Sequence, residues 1–233
     1  MAEALGVRFL DAKGNTLPRG GGSLGELASI DISSLDARLQ QVQLIVACDV
    51  TNPLCGEHGA SHVFGPQKGA TPEMVQQLDA NLAHYADVVK RQLGKDVRDL
   101  PGAGAAGGLG AGLLIFTQAS LQKGIEIVIE YTGLKQKLAK ADIVFTGEGG
   151  IDFQTKFGKT PYGVAQAAKQ SGKKVIAVAG YVGEGIDTLY QEGIDAVFGI
   201  VPGASELGKL LVEGPQNVER TCENIARVLQ FSE

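Results

Sequence analysis

The sequence has no tryptophan, and it is poor in cysteine (3), histidine (3) and methionine (2). Cys48, Cys55 and Cys222 are an odd number of cysteines at unrelated spacings, which excludes a disulfide-built fold and favours reduced thiols in the cytoplasm. Cys48 and Cys55 with His58 and His62 match no zinc-ligand spacing, so we interpret them as small core cysteines and loop histidines.

Long apolar runs and basic blocks are also missing. Residues 1–10 carry no signal-peptide pattern and no run is long enough to span a bilayer, so we expect no membrane partner. The net charge is −5 with both signs spread along the chain, which argues against a nucleic-acid partner. Anionic ligands would then be bound locally, by backbone amides and a few lysines.

Glycine, by contrast, is abundant, with 33 residues that form neither a repeat nor a low-complexity segment. They cluster at residues 20–22, 102–112 and 147–150. Because glycine gathers where the backbone turns sharply or approaches a ligand closely, these clusters predict an active-site cleft lined by loops.

The last third of the chain has the pattern of an α/β fold. Predicted strands 141–146, 174–180 and 196–201, the first two ending in glycine turns, alternate with predicted helices 161–170, 185–191 and 217–231. Such alternation predicts a parallel sheet, with ligands bound beyond the carboxyl ends of its strands. We place a domain boundary near Leu134, between a mixed, loop-rich α+β domain (1–133) and a regular α/β domain (134–233).

The first domain is less regular. Its predicted strands are 7–10 and 41–48, and its predicted helices are 24–30, 72–93 and one that starts inside the glycine run and continues through 113–117. Thr71 and Pro72 form a helix start and Gly94 a helix stop. Residues 125–131 fit a strand or a helix equally well.

Three segments carry candidate chemistry. In the first, Asp49 ends a strand and Asn52 follows it, an arrangement that can position a substrate hydroxyl or a magnesium ion, while Lys68 precedes a helix N-terminus as an anion site. The alternative is a capping acid and a solvated lysine. The second segment, residues 101–112, has Gly-x-Gly patterns but no Walker lysine, so a phosphate loop and a helix-packing surface are equally favoured, and a dinucleotide-dependent oxidoreductase is disfavoured.

The third segment, residues 146–161, lies between a predicted strand and a predicted helix. Glu148 and Asp152 suit magnesium or a substrate hydroxyl, and Lys159 suits a phosphate oxygen. A polar connecting loop is the alternative, but the density of glycine, acid and lysine at a strand end favours a functional site.

Four stretches together resemble the bacterial type 1 glycerate kinase family: CDVTNPLCG (48–56), GASHVFGPQKGAT (59–71), GAGAAGGLGAG (102–112) and TGEGGIDFQTKFGKTPYGVA (146–165). The resemblance implies ATP-dependent phosphorylation of the small molecule D-glycerate with Mg²⁺, favouring 2-phosphoglycerate as product. It also implies two α/β domains, the second Rossmann- or flavodoxin-like, and leaves a homodimer open.

The resemblance assigns roles to the candidate residues. We expect catalytic roles for Glu148, Asp152 and Lys159, with Asp152 and Glu148 as metal ligands. The expected substrate-binding residues are Asp49, Asn52, Gln67, Lys68 and Gln154, and the expected phosphate loop comprises Gly102, Gly104, Gly107, Gly108 and Gly110.

The sequence departs from the family in two places. The family's N-terminal Ser-Phe-Lys loop and its Gly-Gly-Ser-Ala-Thr-Asn-Asp-Gly-Gly segment are absent, so we expect the C-terminal portion of a kinase, with both domains partial and the second sheet lacking its first strands. The alternative is a non-catalytic, ligand-binding fragment. Gly150 also stands where the family has a basic residue, commonly arginine, whose loss would remove an anion contact.

Overall fold

The computed structural model describes residues 1–232 of the chain. They form two compact units, Met1–Lys123 and a second that starts at Gly124. The sequence placed the domain boundary later, near Leu134. The helix Gly124–Tyr131 falls in the second unit because its buried Ile129 belongs to the same core as Leu138 and Val144.

The first unit combines short strands with three helices. The strands are β1 (Arg8–Leu10), β2 (Ser29–Asp31), β3 (Ile45–Ala47) and β4 (Ser120–Gln122), of which β1 and β2 pair antiparallel and β3 and β4 pair parallel. The helices are α1 (Ala60–Phe64), α2 (Pro72–Leu93) and α3 (Ala105–Phe116), with 3₁₀ helices at Ala2–Leu5, Gly21–Glu26, Ala37–Gln41 and Pro66–Lys68. Within residues 1–232, no helix has both the length and the apolar character needed to cross a membrane.

Helix α2 forms where the sequence predicted it. The Thr71 hydroxyl accepts a hydrogen bond from the Met74 backbone N–H at 3.3 Å, and Pro72 occupies the first turn. Gly94 ends the helix in a left-handed conformation with φ 68°. Buried side chains along one face, among them Val88 and Val89, anchor α2 in the core of the first unit.

The predicted helix 24–30 is wrong. A 3₁₀ helix takes Gly21–Glu26, and β2 takes Ser29–Asp31. The Gln92 side chain accepts from the Ile30 N–H at 2.8 Å and donates to the Ala28 carbonyl at 3.0 Å, so contacts distant in sequence hold this stretch extended. Local propensity is overridden by tertiary pairing here.

The second unit is an α/β fold with a parallel sheet, as predicted. Its strands β5 (Ile143–Ile151), β6 (Lys174–Val182) and β7 (Ala196–Gly199) are parallel, in the order β5-β6-β7. Its helices are α4 (Gly124–Tyr131), α5 (Leu134–Leu138), α6 (Thr160–Gln170), α7 (Asp187–Gln191), α8 (Leu207–Val212) and α9 (Gly214–Leu229), with 3₁₀ helices at Phe153–Phe157 and Gln230–Ser232.

Strands β5 and β6 extend further than the sequence predicted. The glycine turn expected after residue 146 is wrong, because residues 147–150 continue as paired strand. The glycine turn expected after the second strand is present, but it starts later, since β6 runs to Val182 and the chain turns at residues 184–186. Glycine is required for this close pairing: a Cβ at Gly180 would lie 2.7 Å from the Gly149 carbonyl oxygen, and one at Gly147 would overlap the Val178 carbonyl. Glu148 therefore lies inside a strand, and the chain leaves the sheet only after Ile151.

Candidate functional site

Two carboxylates and a lysine meet at the carboxyl end of β5. The Lys159 Nζ lies 3.0 Å from Glu148 Oε1 and 3.7 Å from Asp152 Oδ1, and it donates a hydrogen bond to the Gly150 carbonyl at 3.4 Å. All three side chains are partly exposed. The structure thus brings together the three residues for which the sequence predicted catalytic roles.

Strand alternation explains why Glu148 points at Lys159. Val144, Thr146 and Glu148 share one face of β5, since side chains alternate along a strand. Helix α6 packs against β5, and Lys159 is the residue immediately before α6. The ammonium therefore lies beside the carboxylate at the end of this face.

Asp152 is fixed by the chain that leaves the sheet. Its carboxylate accepts the Gln154 backbone N–H at 2.9 Å and so caps the 3₁₀ helix Phe153–Phe157, while its own N–H donates to the Thr155 hydroxyl at 3.2 Å. Thr155 is fully buried. Gln154 is exposed, and its backbone N–H donates to the Asp152 carboxylate.

The segment after β6 is hydrogen-bonded to the turn that follows β5 and carries Asp152. The Gly183 N–H donates to the Ile151 carbonyl at 2.8 Å, and the Phe153 N–H donates to the Glu184 carbonyl at 3.1 Å. A Cβ at Gly183 would lie 2.9 Å from the Asp152 Cβ, so only glycine fits. Neither Thr155 nor Gly183 was predicted from the sequence, although Thr155 three residues after Asp152 is a recognisable capping-box spacing.

The carboxylates keep the lysine charged. The hydrogen bond to Glu148, together with the charges of Glu148 and Asp152, raises the pKa of Lys159 above its ordinary value of 10.5. A lysine with a raised folded-state pKa contributes to stability below its unfolded pKa, and loses that contribution only as the pH rises through the raised value. Lys159 is therefore a permanent cation at neutral pH.

Gly150, where the resemblance implies a basic residue, has room for a side chain. A Cβ there would lie 3.7 Å from the Tyr181 ring, an ordinary contact, and the φ of Gly150 is not left-handed. The backbone would accept a larger side chain, so glycine is not required at this position by packing.

In the first unit, Asn52 meets the glycine run. The Asn52 side-chain amide donates to the His58 carbonyl at 2.9 Å, and its backbone carbonyl accepts the Gly104 N–H at 3.0 Å. The side chain thus closes its own loop, while the backbone joins that loop to the glycines. Asp49 follows β3 and is exposed.

The glycine run performs two separate tasks. Gly102, Gly104 and Gly110 are buried, and a Cβ at Gly104 would overlap the Pro53 carbonyl while one at Gly110 would overlap the Gly102 carbonyl. Ala106 and Gly107, by contrast, form an exposed left-handed turn with φ of 50° and 71°, and it continues into Gly108. The buried glycines thus form a packing surface, while the turn leaves backbone accessible to solvent. The phosphate loop stays a prediction.

We expect Gly104→Ala to destabilise the first unit by about 1–3 kcal/mol, because the added methyl must displace the Pro53 carbonyl. Gly22→Ala is the matched control, since nothing lies within 4 Å of a Cβ there. Urea unfolding of both variants measures the difference. Equal stability of the two variants would show that the glycine run is not tightly packed against the Asn52 loop.

Ala106 is the one non-glycine residue with positive φ in the described chain. The left-handed conformation costs an L-residue about 1–2 kcal/mol, and glycine loses about 0.4–1 kcal/mol more through unfolded-state entropy. We therefore expect Ala106→Gly to raise the free energy of unfolding by about 0.5–1 kcal/mol, as measured by chemical denaturation. A loss of stability would contradict the strain at this turn.

Gln67 and Lys68 are exposed and lie on the 3₁₀ helix Pro66–Lys68, between α1 and α2.

One residue that was not predicted from the sequence links α2 to the segments before it. Asp79 of α2 accepts the Gly56 N–H at 2.9 Å, and its Oδ1 lies 3.4 Å from His62 Nδ1. Nothing in the sequence distinguishes Asp79 from the other polar residues of a long helix.

Comparison with known proteins gives a consistent result. The family model described as "Glycerate kinase family" matches residues 1–230. The glycerate kinase of Haemophilus influenzae is 52% identical over 231 residues, covering 99% of this chain and 61% of the relative. The glycerate 2-kinase of Escherichia coli is 48% identical over 229 residues, covering 98% of this chain and 60% of the relative.

A solved structure agrees with these relatives. A Salmonella typhimurium LT2 protein described as glycerate kinase 2 superimposes with a TM-score of 0.82 at 50% identity, covering 100% of this chain and 60% of that one. The chain thus spans about three fifths of the length of the relatives it matches. On the family match and these identities, the chain belongs to the glycerate kinase family.

Proposed function

We propose that the protein transfers a phosphoryl group from ATP to D-glycerate, with 2-phosphoglycerate as the favoured product. Family membership supports the reaction class, and the observation that carries the proposal is the convergence of Glu148, Asp152 and Lys159 at the carboxyl end of a parallel strand. Ligands of parallel α/β sheets bind at this end. Phosphoryl transfer requires mainly alignment and charge neutralisation, which these side chains can supply.

The contacts favour different roles for the two carboxylates. Glu148 lies nearer the lysine, at 3.0 Å, and would hold the ammonium in place. Asp152 is more loosely paired, at 3.7 Å, and would orient the acceptor hydroxyl and take its proton. Lys159, which remains charged, would bind the transferred phosphoryl oxygens.

Magnesium is part of the proposal. Among residues 1–232, no group of three or more His, Cys, Asp or Glu side chains could enclose a metal ion. Mg²⁺ in kinases is held by one or two carboxylates together with substrate phosphates, so Glu148 and Asp152 fit an ion that arrives with ATP. When bound, it would neutralise charge on the phosphates.

The first unit would bind the anionic parts of the ligands. We assign phosphate binding to the Gly102–Gly110 run, chiefly through its exposed turn at Ala106 and Gly107, where the backbone is accessible. Lys68 and Gln67, both exposed, would contact the glycerate carboxylate. Asp49 and Asn52 would line the same substrate-binding region. In the second unit, Gln154 would bind substrate.

The proposal extends to location and assembly. The three cysteines are free thiols, which supports a cytoplasmic location. A homodimer is supported by the exposed apolar side chains of α8, since such a group favours an interface. They belong to Leu207, Leu211 and Val212. Sedimentation of the purified protein, alone and as Leu211→Lys, tests the dimer.

An assay of ADP release with D-glycerate, ATP and Mg²⁺ tests the activity. It should be run on this chain and on a chimera joined to the portion of the Haemophilus influenzae relative that the chain does not match. Activity in the chimera alone would support the kinase and show that this chain needs the added portion for turnover. Two folded proteins without activity would refute the proposed substrate or chemistry.

A further inference from the structure

Thr155 lies at the centre of the turn that carries two of the proposed catalytic side chains. Its hydroxyl oxygen accepts the Asp152 backbone N–H at 3.2 Å. Its carbonyl oxygen accepts the Lys159 N–H at 3.3 Å, and it also accepts the N–H of Gly158, whose φ of 106° turns the chain toward α6. Thr155 thus accepts a hydrogen bond from the backbone N–H of both Asp152 and Lys159, the two residues whose side chains must meet.

The environment of Thr155 shows that this arrangement is built into the fold. Its side chain is fully buried, although it is polar and lies in a turn whose neighbours Phe153 and Gln154 are exposed. Turn threonines are usually exposed, so complete burial needs a reason. The segment after β6 encloses the same turn through Gly183 and Glu184, which leaves the turn little freedom to adjust.

We propose that Thr155 is a positioning residue that sets the separation of the Asp152 carboxylate and the Lys159 ammonium. The inference rests on the proposed phosphoryl transfer, in which these two groups act on the acceptor hydroxyl and on the transferred phosphoryl group. Thr155 does not itself contact either substrate. It acts by fixing the backbone at both ends of the turn.

The isosteric change Thr155→Val removes the acceptor for the Asp152 N–H and retains the shape of the side chain. A displacement of about 1 Å in an active site can lower the rate by about 100-fold, so we expect kcat to fall by about 10- to 100-fold, with the KM for D-glycerate changed by less than about threefold. Thr155→Ser retains the hydroxyl and should keep kcat within about threefold of the unaltered protein.

Thr221→Val provides the structural control. Thr221 is also buried, on α9 in the same unit, and has no role in the proposed site. The three variants and the unaltered protein should be compared in the form active in the ADP-release assay, with the Tm of each recorded. Unchanged kcat in Thr155→Val, or equal losses of kcat in Thr155→Val and Thr221→Val, would overturn the positioning role.

Amide hydrogen exchange tests Thr155 independently of activity. Loss of the hydroxyl should accelerate exchange of the Asp152 N–H by about tenfold or more in Thr155→Val, but not in Thr155→Ser. If the unaltered protein fails to phosphorylate D-glycerate, the proposed function fails, and exchange alone decides the role of Thr155. Unaltered protection of Asp152 in Thr155→Val would then refute the inference.

Discussion

Asp152→Asn is expected to lower kcat by about 100- to 10,000-fold, the range associated with loss of a general base. Asparagine keeps the size of the side chain and an oxygen that can accept the Gln154 N–H, so the 3₁₀ helix Phe153–Phe157 should keep its cap. What it removes is the negative charge. The expected change in the free energy of unfolding is therefore below about 1 kcal/mol.

Asp195→Asn is a closely matched control for this change. Asp195 also accepts a backbone N–H, from Val175 at 2.8 Å, and it also faces a lysine, with Lys174 Nζ at 2.7 Å. It lies outside the proposed site, so its loss should leave kcat unchanged. Steady-state kinetics on both variants would refute the role of Asp152 if Asp152→Asn retained near-normal turnover.

Lys159→Met should lower kcat/KM for ATP by about 100- to 1,000-fold, as expected for one preorganised charged donor to a phosphoryl group. Methionine retains much of the aliphatic stem. Lys159 makes no side-chain cap to α6, and partly exposed ion pairs contribute little to stability, so folding should be nearly unaffected. The effect would thus appear in catalysis and not in Tm.

Lys169→Met separates this effect from a general loss of positive charge. Lys169 lies on α6, the helix that Lys159 immediately precedes, is exposed, and donates to the Gln191 carbonyl at 2.6 Å. Its replacement removes the same charge near the other end of that helix. If both lysine variants lost ATP-dependent turnover equally, a specific role for Lys159 would be untenable.

The parts of the fold that local chemistry determines could be predicted. Thr71, Pro72 and Gly94 define the ends of α2 through a cap, a fixed φ and a left-handed stop. The alternation of strands and helices in the last third likewise predicted the parallel sheet. In both cases neighbouring residues carry the information.

The errors arise where distant residues decide the conformation. Residues 147–150 were predicted as a turn because they are rich in glycine, but β6 supplies hydrogen-bond partners that keep them extended. Residues 29–31 form a strand because the side chain of Gln92, far away in sequence, accepts a hydrogen bond from the Ile30 N–H and donates one to the Ala28 carbonyl. The composition of these two stretches does not reveal that β6 and Gln92 are their hydrogen-bond partners.

The candidate site likewise contains residues that could be predicted from the sequence and residues that could not. The sequence pointed to Glu148, Asp152 and Lys159 because acid and lysine follow a strand, and the contacts between them could be anticipated from that placement. The supporting residues could not be identified so readily. Gly183 acts through close packing against Asp152, and such a contact leaves no pattern in the sequence around either residue.

The most direct test of the account is ³¹P NMR of the product formed from D-glycerate, ATP and Mg²⁺ by the chimera that joins this chain to the unmatched portion of its relative. We expect the unaltered protein to form a phosphoglycerate, with the 2-phosphate favoured, and Asp152→Asn to lower its rate of formation at least about 100-fold. Phosphoglycerate formed equally fast by the variant, or none formed by the folded, unaltered protein, would contradict it.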